Sequence, residues 1–297
     1  MDALLSLTSV LGASLETGLI FAILAIGVVI TYKILRISDL TVEGSFPLGA
    51  FIFAKFVTMG LDPVSSTLLA FAAGLVAGFI TYLIYKKLKV DSLLAGILTM
   101  TILYSVNLTI LNKANVPLNA YKSVFSLLGF VKPVIILIVF IIILKIIMDS
   151  FFDTEQGFLL FVTGDNEALV KALGENPDKF TMLGLMLSNG LIALSGALMG
   201  QYQGFADSQM GATMIVTGLA SIIIGDTFMK SSDKLRMTTR AIIGAILYRI
   251  MIGIALHAGL NPNYLKAATA IIVIIFIAYN NHKETKAINK KVGAKNA

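Results

Sequence analysis

Residues 131–149 read VKPVIILIVFIIILKIIMD, an almost unbroken apolar run. About 20 such residues form a helix long enough to cross the ~30 Å of hydrocarbon in a bilayer. Eight further apolar segments occupy 15–35, 38–60, 63–86, 91–111, 180–200, 212–229, 238–257 and 265–280. In a chain of 297 residues that is 57% hydrophobic and 13% charged, one soluble core cannot take up so much apolar surface, so a bilayer acts as the solvent. Backbone in lipid must satisfy its own hydrogen bonds, which leaves helical bundles and closed barrels. These segments are about twice the length of a barrel strand and lack strict alternation. The expected fold is all-α, a polytopic transmembrane helical bundle of about nine spans, within a range of about eight to ten. Residues 1–281 form a single transmembrane domain and 282–297 a basic tail. Segments 38–60 and 212–229 are interrupted by glycine and polar residues, so each either spans or re-enters.

The basic residues give an orientation. Lys33 and Arg36, then Lys86, Lys87 and Lys89, then Lys171 and Lys179, then Lys230, Lys234 and Arg236, and finally Lys283, Lys286, Lys290, Lys291 and Lys295 fall on one side of a nine-span bundle. The opposite loops hold mainly Lys113, Lys122, Lys132 and Lys266. By the positive-inside rule the N-terminus is outside, while the 150–179 loop and the C-terminus are cytoplasmic. The N-terminal stretch lacks a basic region and carries Asp2 and Glu16, so the first span reads as a retained signal anchor. The net charge of +6 belongs to these loops; no basic run interleaved with aromatics points to nucleic acid.

Several chemistries are excluded. There is no cysteine, and the two histidines, His257 and His282, cannot make a metal cluster by themselves. No G-x-x-x-x-G-K-[ST] loop is present to cradle nucleotide phosphates.

Within the 150–179 loop, GDNEALVKALGENPDKF carries helix punctuation. Asp165 or Asn166 caps a short helix through Glu167, Ala168, Leu169, Lys171 and Leu173, and Gly174, Asn176 and Pro177 end it. Leu169 and Leu173 are four apart and share a face. Such a helix either joins two spans at the membrane surface or fits, as a knob, a groove on another protein.

Three stretches carry a resemblance: SDLTVEGSFPLGAF, GDNEALVKALGENPDKFTMLGLMLSNGLIALSGALMGQYQGFAD and MGATMIVTGLASIIIGD. Together they resemble permease subunits of bacterial ABC importers of the branched-chain amino-acid/ribose type. The most similar group is the one paired with lipoprotein binding proteins for tryptophan, tyrosine or related solutes. The resemblance covers about residues 15–280. The Glu-Ala-Ala…Gly docking signature of such importers is met loosely, since Glu167-Ala168-Leu169 precedes Gly174 with one extra residue. The resemblance implies cytosolic ABC ATPase subunits that carry ATP and magnesium, with no cofactor on this chain. It also implies a second permease copy, taken as a homodimer, an extracytoplasmic lipoprotein binding protein, and a place in the cell membrane. The alternative is an ion-coupled secondary transporter that needs no ATPase.

Polar residues within apolar segments are the remaining candidates, because lipid-facing ones are costly. Glu43 and Ser45 lie where segment 38–60 is interrupted, and border a substrate path or cap the helix. Asn189 bonds across helices or lines the path. Gln201 and Gln203 lie at the far end of segment 180–200, placed to meet a delivered solute. Arg249 is the deepest clear charge and calls for an ion pair, with Glu43 and Asp226 as candidate partners; Lys230 is the expected partner of Asp226. Gly74 and Gly78, and Gly196, Gly200 and Gly204, have the spacing that lets helices approach closely.

Overall fold

The computed structural model describes residues 2–127, 129–229, 235–261, 264–265, 267–276 and 278, with backbone alone for 2–7. Lys230, Lys234, Lys266, His282 and the basic tail 282–297 lie outside the described residues.

Helix starts follow local chemistry. Helix α1 spans Asp2–Val28 and runs on as a π-helical turn, Val29–Ile34. Helix α2 spans Val42–Thr58. Helix α3, Pro63–Tyr82, starts with Pro63 at its first position and Asp62 accepting the Ser65 N–H at 2.9 Å, then ends in a second π turn, Leu83–Lys87. Helix α4, Ser92–Leu111, is capped by Asp91. A three-residue strand β1, Asn115–Pro117, and a single turn α5, Val124–Leu127, lead into α6, Pro133–Phe152. Two short helices follow, α7 at Glu155–Asp165 and α8 at Glu167–Ala172. Helix α9, Pro177–Gln203, is capped by Asn176 and closed by Gly204 in the left-handed conformation. Strand β2, Phe205–Asp207, pairs antiparallel with β1, and α10, Met214–Met229, α11, Met237–His257, and α12, Ala267–Phe276, complete the order.

Helices α1 and α9 form the centre. From Leu19 to Ile30 nearly every residue of α1 is buried, which marks a helix apolar on all sides as a core element. By contrast, α6 exposes Ile138, Val139, Ile142, Ile143, Ile146 and Ile147, the surface a lipid chain would cover. Small residues set the central contacts. A Cβ on Gly74 or Gly78 of α3 would fall on the α9 backbone at Asn189 or Leu185, and one on Gly196 of α9 would fall on the Phe46 carbonyl of α2. These glycines therefore serve packing within the chain.

The segments expected to give about nine spans form helices of unequal length. Among the described residues six helices are long and apolar enough to cross: Thr8–Ile34, Pro63–Lys87, Ser92–Leu111, Pro133–Phe152, Pro177–Gln203 and Met237–His257. The three other segments give shorter helices, α2 of 17 residues, α10 of 16, and Ala267–Phe276. Segments 38–60 and 212–229 fall short for a physical reason. Helix α9 serves as a ruler about 40 Å long at the α-helical rise, and Asn189 sits near its midpoint. Ser45, in the first turn of α2, donates to Asn189 Oδ1 at 2.7 Å, while Ala50 lies beside Gly200. So α2 starts halfway along the bundle and runs toward the end where β1 and β2 pair. The Thr213 N–H, just before α10, donates to Glu43 Oε1 at 3.1 Å, and Asp226 near the other end of α10 pairs with Lys33. Helix α10 therefore starts at the same level and runs the opposite way. The chain is extended or turned at 37–41 and 204–213, with Asp39, Thr41, Ala206 and Ser208 buried and Ser38, Phe205 and Gln209 exposed.

The 150–179 segment is helical over most of its length, since α6 continues to Phe152 and α7 precedes the short α8. The two π turns share a local pattern. TYKILRI at 31–37 and IYKKLKV at 84–90 both place a non-glycine residue at positive φ next to their last position, Arg36 at 55° and Lys89 at 57°. In each, an N–H reaches back five or six residues: Leu35 to Ile30 and Ile37 to Thr31, Leu88 to Leu83 and Val90 to Ile84.

Candidate functional site

Where α2 starts, the buried polar groups form one connected set. Asp39 accepts the Thr41 N–H at 2.9 Å and Asn189 Nδ2 at 2.8 Å. Asn189 also donates to its own Leu185 carbonyl and accepts from Ser45 Oγ. The Thr41 and Thr81 hydroxyls meet at 2.9 Å, and Asn107 Nδ2 donates to the Gly44 carbonyl at 3.2 Å. Ser45 and Asn189 are thus fully buried and bonded to each other, joining α2 to α9.

Glu43 is placed differently. Its carboxylate accepts the Thr213 N–H at the start of α10, where the positive end of a helix favours a negative group. It also borders a cleft of about 270 Å³ between α2, α4 and the 208–212 segment, together with Tyr104, Asn107, Ser208 and Gln209. Asn107 Oδ1, buried beside this cleft, has no hydrogen-bond partner among the described residues. The substrate-path candidates therefore separate. Glu43 faces a cleft at the meeting point of two helix starts, and Ser45 and Asn189 hold the wall behind it.

Gln201 is buried at the other end of α9. It donates to Thr67 Oγ1 at 3.0 Å and accepts the Val124 N–H at 2.9 Å, which ties α5 to α3 and α9. Gln203 donates to the Phe205 carbonyl and steadies the turn into β2.

At the end opposite the ribbon, basic and acidic side chains meet. Asn166 caps α8, accepting the N–H groups of Ala168 and Leu169 at 3.0 and 3.2 Å. Gly174 closes the helix with φ at 82°, and the Glu175 N–H returns to the Val170 carbonyl. Val170 is buried, whereas Leu169 and Leu173 are 46% and 56% exposed on the outer face. Glu167 pairs with Lys86 at 2.7 Å and Asp165 with Arg36 at 2.5 Å. Lys86 also lies 3.9 Å from Asp178 at the start of α9. The segment around α8 is thereby tied to both π turns. Lys171 points into solvent with Ala168.

Two further ion clusters stand at the same end. Asp226 of α10 pairs with Lys33 and lies 3.8 Å from Arg240, so α1 and α11 supply its partners. Its expected partner Lys230 lies outside the described residues. Asp149 joins Lys145 at 2.5 Å and Thr238 Oγ1 at 2.5 Å, and Arg236 reaches Asp153 at 2.9 Å. Hydrogen bonding to Asp153 holds the Arg236 guanidinium above its ordinary pKa.

Glu43 accepts the Thr213 N–H and Asp226 pairs with Lys33, while Arg249 turns to α1. Its guanidinium lies over the Phe21 ring, 3.7 Å from the centroid. Position in the sequence brings Arg249 into an apolar span but does not set its azimuth on α11, which turns it to α1 rather than to α10.

Asp39 and Thr41 belong with Glu43 and Ser45 to the polar run that opens segment 38–60, but the sequence assigns them no role, and Thr81 carries no signal of its own. The Asp39-x-Thr41 spacing is the local signal for Asp39, since a carboxylate that accepts the N–H two residues on initiates a turn. Among the described residues no group of three His, Cys, Asp or Glu is placed to hold a metal.

A family model described as "Branched-chain amino acid transport system / permease component" matches residues 10–278. The chain is 44% identical to the tyrosine transport system permease protein of Clostridioides difficile, over 89% of this chain and 88% of that one. It is 25% identical to a ribose import permease protein of Haemophilus influenzae, over 90% and 83% of the two chains. It is also 25% identical to a probable branched-chain amino acid transport permease protein of Methanocaldococcus jannaschii, over 90% and 87%. No solved structure gives a significant match.

Proposed function

We propose, for a chain that belongs to the permease-component family of branched-chain amino acid transport systems, that it forms the membrane pathway of an ATP-driven importer of an amino acid. Family membership is the premise. The chain is a polytopic protein of the cell membrane and a transport component, not an enzyme. Tyrosine is the first solute to test, because the 44% identical relative is named for its transport.

The reading extends to partners and orientation. Cytosolic ATPase subunits carry ATP and magnesium, an extracytoplasmic lipoprotein delivers the solute, and two permease copies stand side by side. The α8 end is cytoplasmic, in keeping with the basic residues gathered there. Residues 1–281 act as one domain, with 150–179 as its coupling segment and 282–297 as a basic tail. The solute passes the cleft bordered by Glu43, where the first turns of α2 and α10 approach. Half-helices that start at mid-depth leave backbone and helix ends free to meet a polar solute, and they can tilt against the fixed α1 and α9.

One observation carries the coupling role. Helix α8 is seated on the bundle by buried Val170 and leaves Leu169 and Leu173 exposed, and Glu167 and Asp165 tie it to the ends of α3 and α1. A short knob tied to two spans can pass a partner's movement into the bundle. Charge reversal of Glu167 and Asp165, or deletion of 165–176, should leave membrane insertion intact and uncouple uptake from ATP hydrolysis in proteoliposomes with the ATPase and binding protein. Solute uptake by this chain alone, driven by a sodium or proton gradient, would overturn the reading in favour of a secondary transporter.

A further inference from the structure

The α2–α4 cleft stands halfway along the bundle. Asn107 Nδ2 donates to the Gly44 carbonyl in the first turn of α2, next to Ser45, which meets Asn189 near the midpoint of α9. Helices α2 and α4 approach closely there, since a Cβ on Gly44 would lie 2.9 Å from Leu103 Cβ. Pro47, Met100 and Ala212 supply apolar wall. Thr101 and Tyr104 also line the cleft and are exposed. Tyrosine in membrane helices gathers at the two interfaces. Exposed at mid-depth, Tyr104 marks a side of α4 that meets water or protein rather than acyl chains, unlike the isoleucine face of α6. A water-borne solute can therefore reach the cleft.

Its charge is one-sided. Among the described residues that line it, Glu43 is the charged one, and none is Lys, Arg or His. The start of α10 offsets part of that charge through the Thr213 N–H. A carboxylate within the bundle at this depth still calls for a cation or water. Asn107 adds to the same demand. With its amide nitrogen engaged by the Gly44 carbonyl, its Oδ1 is buried without a hydrogen-bond partner among the described residues, and an unsatisfied buried acceptor is costly. A carboxylate and an orphan carbonyl on neighbouring helices ask for one complement, a positively charged group with several N–H donors.

We propose that this cleft is a subsite for a primary ammonium group, with the Glu43 carboxylate as counter-charge, Asn107 Oδ1 as second acceptor and the Tyr104 ring beside them. The proposal rests on the reading that the solute passes this cleft. It names what the permease recognises there: the amine of the solute, not its carboxylate. An ammonium carries three donors and no acceptor, and an aromatic ring adds cation–π attraction. A neutral sugar would leave the Glu43 charge uncompensated, and an anion would be repelled by it. The volume of about 270 Å³ is at the small end for ligand pockets, which start near 300 Å³, so the subsite suits one small amine.

The chain has no cysteine, so a single thiol can report on the cleft. In the full chain purified in mild detergent, Thr101→Cys places that thiol on the exposed lining, and its rate of labelling by a maleimide reads occupancy. The probes are tyramine, L-tyrosine and 3-(4-hydroxyphenyl)propionate, which share the phenol; the propionate lacks the amine and tyramine lacks the carboxylate. Tyramine and L-tyrosine should slow labelling saturably, and the propionate should not at the same concentrations. Glu43→Gln on this background should raise the half-protecting tyramine concentration about tenfold, the loss of one charge-assisted contact, and Asn107→Leu should raise it less. The comparison of probes needs no second substitution, so the outcome does not hang on the folding of either variant. Equal protection by tyramine and the propionate, protection by the propionate alone, or protection by none of the three would overturn the proposal. So would unchanged tyramine protection in a Glu43→Gln variant whose Tm matches its background. ATP-driven tyrosine uptake by the whole assembly is read separately. Uptake with labelling blind to the amine removes the subsite alone, whereas amine-selective protection without ATP-driven uptake removes the transport reading and leaves amine recognition standing.

Discussion

The break before α2 and the rim around α8 are both polar, but they are built from opposite materials. At the break, Asp39, Thr41, Ser45, Thr81 and Asn189 are all buried and joined by hydrogen bonds of 2.7–2.9 Å. At the rim, Arg36 and Asp165 are 66% and 64% exposed, and Lys86 and Glu167 are 15% and 44% exposed. A buried polar group left unsatisfied costs about 1–3 kcal/mol, whereas an exposed ion pair contributes about 0–1 kcal/mol. The break is therefore held in one arrangement, and the rim can be undone and remade at little cost. A device that receives movement at one end and transmits it to the middle needs that contrast: a rim that yields and a centre that does not slip.

The sharpest way to break the comparison is Asn189→Leu. It strips partners from both Ser45 Oγ and the buried Asp39 carboxylate. Each buried polar group left unsatisfied costs about 1–3 kcal/mol, and two are stranded here, so thermal unfolding in detergent should show a drop of many degrees or loss of folded protein. If Asn189→Leu unfolds like wild type, the centre is not the rigid part. Gly196→Val is next, because the added carbons meet the Phe46 carbonyl of α2. Overpacking of this kind costs about 1–3 kcal/mol, and the same melting assay reads it. Asp226→Asn ranks third. It weakens the partly buried pair with Lys33 and the approach of Arg240, and it should lower stability by about 1.5–3 kcal/mol, the worth of one hydrogen bond to a charged group.

How much of this was legible depends on the length over which a signal repeats. The long helices show in runs of about 20 apolar residues, and α8 shows because Asn166, Gly174 and Pro177 mark both its ends within one short stretch. The interruption at 38–60 was visible in Glu43, Ser45, Pro47 and Gly49. What could not be read was the depth at which α2 starts, because that is set by the pairing of Ser45 with Asn189, 144 residues away. The ribbon was hidden for a related reason: Asn115–Pro117 and Phe205–Asp207 are three residues each, too short for alternation to register. Helix α7 gives no signal because EQGFLLFVTGD has two glycines and no clean apolar period. The residues that matter for Arg249 lie on α1, and no spacing within α11 names its neighbour.

The smallest effects test the rim itself. Leu169→Ser with Leu173→Ser removes two exposed side chains, so stability should change by less than about 0.5 kcal/mol. Association with the ATPase, measured by co-purification and by ATPase stimulation in proteoliposomes, should nevertheless fall about tenfold if these residues fill a groove. A loss of stability together with retained association would mean that α8 is packing and not a knob. Arg36→Gln is smaller still. The pair with Asp165 lies in solvent, and its removal should cost about 0.2–1 kcal/mol at low salt and less as salt rises and screens it. Arg36 also holds a positive φ of 55°, which an L-residue adopts at a cost of about 1–2 kcal/mol. A glycine there would relieve the strain while losing the same ion pair. Comparing Arg36→Gln with Arg36→Gly therefore separates the charge from the backbone. If glycine restores stability but not coupled uptake, the ion pair with Asp165 carries the transmission, and the strained turn only positions it.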